Sequence, residues 1–231
     1  MIDFSSFEKK TGIVFTDKTL LTQAFIHRSY INENPKLGLS HNERLEFLGD
    51  AVLELVVTDY LYRTYPDSAE GELTAYRSAL VNATMIAEIA TDVGMNDYLL
   101  LSKGETKDTG RARQYILANT FEAYVGALYM DAGYGAARDF ISRELLPHLE
   151  KIVREKLWQD AKSLVQERAQ EALSITPSYR VISESGPDHD KHFTVGMYLR
   201  EELVAKGSGK SKQEAEQKAA TEALKVKKWN E

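Results

Sequence analysis

Three acidic residues lie close together in one short segment of the chain. Glu43, Glu46 and Asp50 are three and four residues apart, so on an α-helix their side chains lie on one face. Carboxylates at such short distances repel one another, and a divalent cation that prefers oxygen ligands, such as Mg²⁺, removes the repulsion. Two such ions can activate a water molecule and stabilise the oxygen that leaves a phosphodiester. The segment is therefore a candidate metal-dependent hydrolytic site.

A second polar pair interrupts an apolar segment later in the chain. Asn119 and Glu122 are three residues apart within residues 116–133, which are otherwise mostly apolar. A buried Glu carboxylate is unfavourable unless a partner compensates its charge. Carboxylates from two different helices can together hold one or two Mg²⁺ ions. Glu122 is therefore a candidate ligand of the same site.

An ordinary structural role is the alternative for the first acidic segment. Glu43 can cap the start of its helix. Glu46 and Asp50 can form surface ion pairs, for which basic partners are available at Arg44 and Arg77. Such exposed pairs are common and contribute little free energy. For an acidic pair considered alone, this role is the default interpretation.

Helices are predicted for both acidic segments. Ser40 and Glu43 have the spacing of a capping box at a helix start. Between residues 40 and 65 apolar residues recur at steps of three and four, as in an amphipathic helix, at Leu45, Leu48, Val52, Leu55 and Val56. Further helices are predicted at about 18–28, 70–92, 112–131 and 136–155. The pattern indicates an all-α N-terminal domain.

Residues 160–228 have a different pattern. A short helix at about 160–173 precedes strands, and a last helix at 211–228 begins with a capping box at Ser211 and Glu214. The strands are indicated by alternating apolar residues, at Tyr179, Val181, Phe193, Val195, Met197 and Leu199. The second domain is therefore a small α+β domain of α-β-β-β-α order. The predicted limits are 1–152 for the first domain, 153–159 for a linker and 160–228 for the second domain.

Composition narrows the class of protein. The 231 residues include no Cys, which excludes a disulfide scaffold, a Cys-ligated zinc site and a thiol nucleophile. No apolar run approaches the ~20 residues of a membrane span, and the first residues do not have the pattern of a secretory signal. These features predict a cytoplasmic protein with no membrane partner.

Charge is distributed unevenly along the chain. The formal net charge of −6 at first argues against a nucleic-acid partner, which usually leaves a basic surface. Residues 206–228, however, contain seven Lys and three Glu. An acidic front half therefore precedes a basic patch, and the first can gather cations while the second can gather phosphates.

The decapeptide at residues 41–50, HNERLEFLGD, resembles the signature of the ribonuclease III family, the metal-dependent endonucleases of double-stranded RNA. Residues 160–228 are similar to the double-stranded-RNA-binding domain of its bacterial members. Further family segments are matched in the expected order by residues 24–30, 70–77, 104–111 and 117–133. The resemblance covers nearly the whole chain. It implies Mg²⁺-dependent cleavage, with Mn²⁺ as a substitute, and processing of ribosomal and messenger RNA precursors.

The resemblance implies roles for individual acidic residues. Glu46, Asp50 and Glu122 would be metal ligands, and Asp50 and Glu122 would be catalytic. Glu43 and Glu70 would be secondary acidic residues near the same site. Loss of Glu122 would impair cleavage most.

Asn119 departs from the family pattern, which commonly has Asp at this position. An Asn side chain keeps a carbonyl oxygen but loses the charge, so we interpret Asn119 as a weakened or water-mediated ligand. The departure motivates a rival hypothesis, a double-stranded-RNA-binding protein that no longer cleaves. A third hypothesis, a phosphohydrolase of small nucleotides, is disfavoured because it gives the C-terminal domain no role.

The resemblance also implies a homodimer formed through the nuclease domains. Phe47 matches a residue that inserts into the partner subunit, although a place in the core is the alternative. Two sites that face opposite strands would leave 5′-phosphate and 3′-hydroxyl ends with short 3′ overhangs.

The second domain offers a surface for RNA phosphates. The start of the last helix presents free backbone N–H groups and a partial positive charge. The major groove of A-form RNA is too narrow to be read, but its phosphates can be bridged and the flanking minor grooves contacted. The residues expected to contact RNA are Gln166, Glu167, His189, Lys210, Ser211, Lys212 and Lys218.

Overall fold

The computed structural model describes residues 3–156, 158, 160–187 and 191–229. The chain forms two compact units, residues 1–158 and residues 159–231. The first unit is helical, as predicted. Its helices are α1 (Ser5–Thr11), α2 (Lys18–Ala24), α3 (Arg28–Glu33), α4 (Glu43–Thr64), α5 (Glu70–Leu80), α6 (Ala83–Val93), α7 (Arg111–Glu144) and α8 (Pro147–Arg154).

Helices α4 and α7 pack against each other at the centre of the first unit. The buried face of α4 carries the apolar residues Leu45, Val52, Leu53, Val56, Val57 and Leu61. Every residue of α7 from Ile116 to Leu128 is buried except Asn119 and Glu122, which are only partly buried. The two polar residues therefore lie where the core reaches solvent.

The helix predicted at 70–92 is two helices in the structure. α5 ends at Leu80 and α6 begins at Ala83. Between them, the Asn82 side chain accepts a hydrogen bond from the Met85 N–H at 3.0 Å. This cap starts a new helix, so the prediction of one continuous helix is wrong because it overlooked Asn82 as an N-cap.

The other predicted helices also have different limits. α2 ends at Ala24, and Ile26 forms a short parallel β-bridge with Leu100 instead of continuing the predicted 18–28 helix. The break predicted between the helices at 112–131 and 136–155 is confirmed: α7 has a kink at Gly133, whose φ of +80° and ψ of −180° are not helical. The helix predicted at 136–155 breaks after Glu144, and α8 begins with Pro147, a residue favoured at helix starts because it lacks an N–H.

The capping box predicted at Ser40 and Glu43 does not form. α4 begins at Glu43 with Asn42 at its N-cap position; the Asn42 side chain makes no capping hydrogen bond, and the Glu43 N–H donates to Nδ1 of His41 at 3.4 Å. The Asn42 side-chain amide donates to the Ala24 carbonyl oxygen, 3.1 Å away. The prediction is wrong because Asn42, not Ser40, stands at the N-cap position, which makes Glu43 the first residue of the helix rather than the third.

The second unit has the predicted α-β-β-β-α order. Its elements are α9 (Ala161–Leu173), β1 (Ser178–Ser185), β2 (His192–Leu199), β3 (Glu202–Gly209) and α10 (Lys212–Lys227). The strands form one antiparallel sheet in the order β1-β2-β3, and α10 packs against β2, β3 and α9. The register of β1 shifts between Val181 and Ser183. Val181, on the edge strand β1, is 45% exposed rather than buried as its alternation predicts.

None of the helices in the described ranges combines the length and the apolar character that a membrane crossing needs.

Candidate functional site

Helices α4 and α7 touch backbone to backbone at Gly49 and Gly126. A Cβ atom added to Gly49 would lie 1.7 Å from the Glu122 carbonyl oxygen, and one added to Gly126 would lie 2.1 Å from the Leu45 carbonyl oxygen. No side chain fits in either place, so only glycine permits this crossing. The crossing brings the part of α4 that carries Glu46 and Asp50 against the part of α7 that carries Glu122.

The carboxylates at this crossing interact electrostatically. Burial, together with the charges of Asp50 and Glu46, raises the pKa of Glu122 to about 7. Burial and the charges of Glu43 and Asp50 raise the pKa of Glu46 as well. Electrostatic effects therefore link the three acidic residues predicted as ligands, Glu46 and Asp50 on α4 and Glu122 on α7, and the secondary acid Glu43 acts on Glu46.

The surface ion pairs that the alternative role predicts for Glu46 and Asp50 are not observed in the part of the chain that the structure describes. Among the described residues, no side chain forms a hydrogen bond or ion pair with Glu46, Asp50 or Glu122. Arg77 donates instead to the Thr58 hydroxyl at 3.0 Å. Glu43 does lie 3.8 Å from Arg28 and 3.8 Å from His41. The other three carboxylates keep oxygen lone pairs without a donor.

The donor set fits a hard divalent cation by its chemistry. Glu46, Asp50, Glu122 and the neutral Asn119 offer only oxygen ligands that lack cationic partners. In the described part of the chain, no group of three or more His, Cys, Asp or Glu side chains is already arranged as a metal-binding cluster. The electrostatic coupling of the carboxylates, rather than a preformed cage, supports the fit.

Glu70 and Phe47 are both exposed. Glu70 is exposed at the start of α5, where it accepts a hydrogen bond from the Thr74 hydroxyl at 3.0 Å. It is not among the acids that raise the pKa of Glu46 or Glu122. Phe47 is 83% exposed, so the alternative that places it in the core is wrong.

The start of α10 presents the predicted phosphate-binding residues. Lys210, Ser211, Lys212 and Lys218 are exposed. The Ser211 hydroxyl accepts the Glu214 N–H at 3.1 Å, which confirms half of the predicted capping box. The Glu214 carboxylate accepts the Lys210 N–H and the Lys218 ammonium, at 2.8 and 2.7 Å. The carboxylate therefore organises the loop that enters the helix.

The other residues predicted to contact RNA lie elsewhere in the second unit. Gln166 and Glu167 are exposed on α9. His189 lies outside the residues that the structure describes.

The sequence patterns did not mark Gly49, Gly126 or Asn42 as functional residues. Gly49 and Gly126 each lie inside a helical pattern, where glycine is unfavourable unless close packing requires it. A glycine inside a helical pattern therefore indicates a close helix contact, and this signal was available in the sequence. No comparable signal marked Asn42, because Asn at a helix start is ordinarily a cap.

The fold and the site together define a helical nuclease domain followed by a domain that binds double-stranded RNA. Residues 17–149 match the family model described as ribonuclease-III-like, and residues 161–227 match the double-stranded RNA binding motif. The chain belongs to the ribonuclease III family of endoribonucleases.

Relatives and solved structures agree with this assignment. A protein of Enterococcus faecalis named Ribonuclease 3 is 46% identical over 218 residues, which are 94% of this chain and 94% of the relative. Ribonuclease 3 of Protochlamydia amoebophila is 45% identical over 217 residues, 94% of this chain and 89% of the relative. The ribonuclease III nuclease domain of Campylobacter jejuni has a TM-score of 0.56 and 38% identity, covering 64% of this chain and 97% of that chain. In that protein a region involved in dimer formation is structurally flexible.

Proposed function

We propose that the protein is a Mg²⁺-dependent endonuclease of double-stranded RNA, in which Mn²⁺ can replace Mg²⁺. One observation carries the proposal: at the crossing of α4 and α7, the charges of Asp50 and Glu46 on one helix raise the pKa of Glu122 on the other, and Glu46, Asp50 and Glu122 have no basic partner among the described residues. Such an arrangement destabilises a protein unless a cation binds there. Family membership supports the same conclusion.

The proposed ligands are Glu46, Asp50 and Glu122, and Asn119 contributes a neutral carbonyl oxygen. When bound there, Mg²⁺ would lower the pKa of a water molecule and offset charge on the scissile phosphate. The fold places these side chains: Glu122 is partly buried, and Asp50 is exposed, where an RNA strand could reach it. Glu43 and Glu70 are proposed as secondary acidic residues. Asp50 and Glu122 are the proposed catalytic pair.

Binding of the RNA duplex is assigned to the second domain. We propose that Lys210, Ser211, Lys212 and Lys218 contact phosphates across the major groove. Their exposure around the start of α10 supports this assignment, because a helix N-terminus attracts anions. Minor-groove contacts are proposed for Gln166, Glu167 and His189.

A homodimer is proposed through the nuclease domain, with Phe47 at the interface. Its exposed ring supports this role, because a large aromatic side chain at a surface is typical of interaction sites. Two sites, one per subunit, would cut opposite strands and leave 5′-phosphate and 3′-hydroxyl ends with short 3′ overhangs. Ribosomal and messenger RNA precursors are the proposed substrates.

Domain limits and location complete the proposal. We propose residues 1–152 as the nuclease domain, 153–159 as a linker and 160–228 as the RNA-binding domain. A cytoplasmic location stays a prediction.

A second candidate function is a double-stranded-RNA-binding protein that does not cleave. The specific observation behind it is Asn119, which provides no charge at a partly buried position beside Glu122. Cleavage of a labelled RNA hairpin decides between the two functions.

The test uses the full chain with the hairpin and either Mg²⁺ or Mn²⁺. Discrete products are expected from the wild type, and Glu122→Ala should reduce the rate at least about a hundredfold. Glu88→Gln, at an exposed position of α6, is the matched control and should cleave normally. Binding without products in both metals would establish the second candidate instead.

A further inference from the structure

Two side-chain amides hold the segment that leads into α4. The Gln23 side-chain amide donates to the His41 carbonyl oxygen at 3.0 Å. The Asn42 side-chain amide donates to the Ala24 carbonyl oxygen at 3.1 Å. We name this pair of hydrogen bonds the amide clamp. It ties the end of α2 to the start of the helix that carries Glu46.

Backbone hydrogen bonds continue the amide clamp on both sides of Asn42. The Asn42 N–H donates to the Ile26 carbonyl oxygen at 2.9 Å. Its carbonyl oxygen accepts the N–H groups of Leu45 and Glu46, at 2.8 and 2.9 Å. Asn42 is only 3% exposed, so all of these bonds are shielded from competing water. A continuous hydrogen-bonded path therefore runs from α2 to the peptide of Glu46.

Asn42 gives up a local role to make this contact. Asn is a favoured N-cap because its side chain can accept a first-turn N–H. At α6, Asn82 has extended backbone and does cap its helix. At α4, Asn42 has helical backbone, with φ −84° and ψ −11°, and its side chain caps nothing. A local preference overridden in this way is typical of functional sites.

The close approach at Gly49 does not by itself fix the direction of α4. Two helices that touch at one place can still tilt and rotate about that contact. Asn42 lies seven residues before Gly49, about two helical turns or ~10 Å along the axis. A second fixed point at this distance determines where the first turn, and with it Glu46, stands relative to Glu122.

We propose that the amide clamp positions Glu46 against Glu122, and that Asn42 is a positioning residue of the metal site. This inference rests on the proposed function. Asn42 acts through Glu46 and would contact neither the ion nor the RNA.

The test measures Mn²⁺ binding to the full chain by calorimetry, together with hairpin cleavage. Asn42→Ala should weaken Mn²⁺ binding by about tenfold, as is usual when the support of a metal ligand is removed. It should lower kcat and leave KM for RNA unchanged, because the second domain is intact. Asn82→Ala is the matched control: it removes a helix cap and should lower Tm, but Mn²⁺ affinity and kcat should remain those of the wild type.

Gln23→Ala keeps the test decisive if Asn42→Ala does not fold. Gln23 is partly buried on α2, and its loss removes only the His41 half of the amide clamp. Its Mn²⁺ affinity should fall in the same direction. If a folded clamp variant binds Mn²⁺ as tightly as the wild type, the positioning role is overturned. If the wild type itself neither binds Mn²⁺ nor cleaves, the proposed function fails, and the role of Asn42 falls with it.

Discussion

Glu122 is the residue at which stability and function conflict most clearly. Its carboxylate is partly buried, lies near the charges of Asp50 and Glu46, and has no donor among the described side chains. Ionising such a group in the absence of a cation costs folding free energy. The same property makes the position suitable for a metal ligand. Natural sites often retain such destabilising residues because activity requires them.

Replacing Glu122 by Gln should therefore stabilise the protein when no metal is present. In EDTA at pH 8, Glu122→Gln should raise the free energy of unfolding by about 1–2 kcal/mol, because an amide removes the repulsion while keeping the shape. Added Mg²⁺ should raise the Tm of the wild type but not of the variant. Thermal denaturation with and without Mg²⁺ measures both effects. A variant that is less stable than the wild type in EDTA would contradict the charge argument.

At the scale of elements, the pair α4 and α7 determines the site. Both helices are long, and their contact depends on two glycines that let the backbones meet. The ligands lie within one turn of these glycines, so any increase in helix separation moves the carboxylates apart.

Gly49→Ala should separate the helices and disable the site. The new methyl group would collide with the Glu122 carbonyl oxygen. We expect the free energy of unfolding to fall by about 1–3 kcal/mol or more. We also expect hairpin cleavage to be lost. Gly71→Ala in α5 is the matched control, because a Cβ atom there meets nothing within 4 Å. The free energy of unfolding of this variant should equal that of the wild type or be slightly higher. Urea denaturation and a cleavage assay test the pair, and wild-type activity in folded Gly49→Ala would refute the crossing as the basis of the site.

The start of α10 should dominate the salt dependence of RNA binding. Lys212→Gln removes one phosphate contact, so the slope of log affinity against log salt concentration should fall by about one unit. Lys225→Gln is the control, because Lys225 lies in the last turn of α10 and pairs with Glu222 at 2.6 Å. Equal slopes for both variants, measured by filter binding or anisotropy, would argue against this phosphate-binding surface.

At the scale of the whole molecule, the first unit carries an exposed apolar stripe on α4, formed by Phe47, Leu55 and Tyr62. These side chains are 83%, 57% and 73% exposed. Their spacing of eight and seven residues places them on one face of the helix. Because the opposite face is buried against α7, α4 combines a core contact with an apolar outer surface, which supports the proposed homodimer.

Phe47→Asp should disrupt this proposed dimer. A charge in place of the ring should raise the dimer dissociation constant at least about tenfold. Val14→Asp, at a 76% exposed position outside α4, is the matched control and should behave as the wild type. Sedimentation velocity over a concentration series measures the change. A dimer of unaltered stability in Phe47→Asp would exclude α4 from the interface.

Local spacing in the sequence was sufficient to predict much of this protein. The three-and-four spacing of acidic and apolar residues predicted α4 and its candidate ligands, and alternation predicted the strands of the second domain. These features depend on residues close together in the chain, whose side-chain directions follow from the helix or strand period alone. The family resemblance, based on residues 41–50, is confirmed for the same reason.

Only the tertiary structure determined the contacts between residues that are far apart in the chain. The approach of Glu122 to Asp50 depends on a contact between segments more than 70 residues apart, and the exposure of Phe47 depends on which face of α4 meets α7. The use of the Asn42 amide for Ala24, instead of for a cap, likewise depends on where α2 ends. A side chain with two available partners binds the one that the fold brings near it. The distances between residues far apart in the chain cannot be read from the sequence alone.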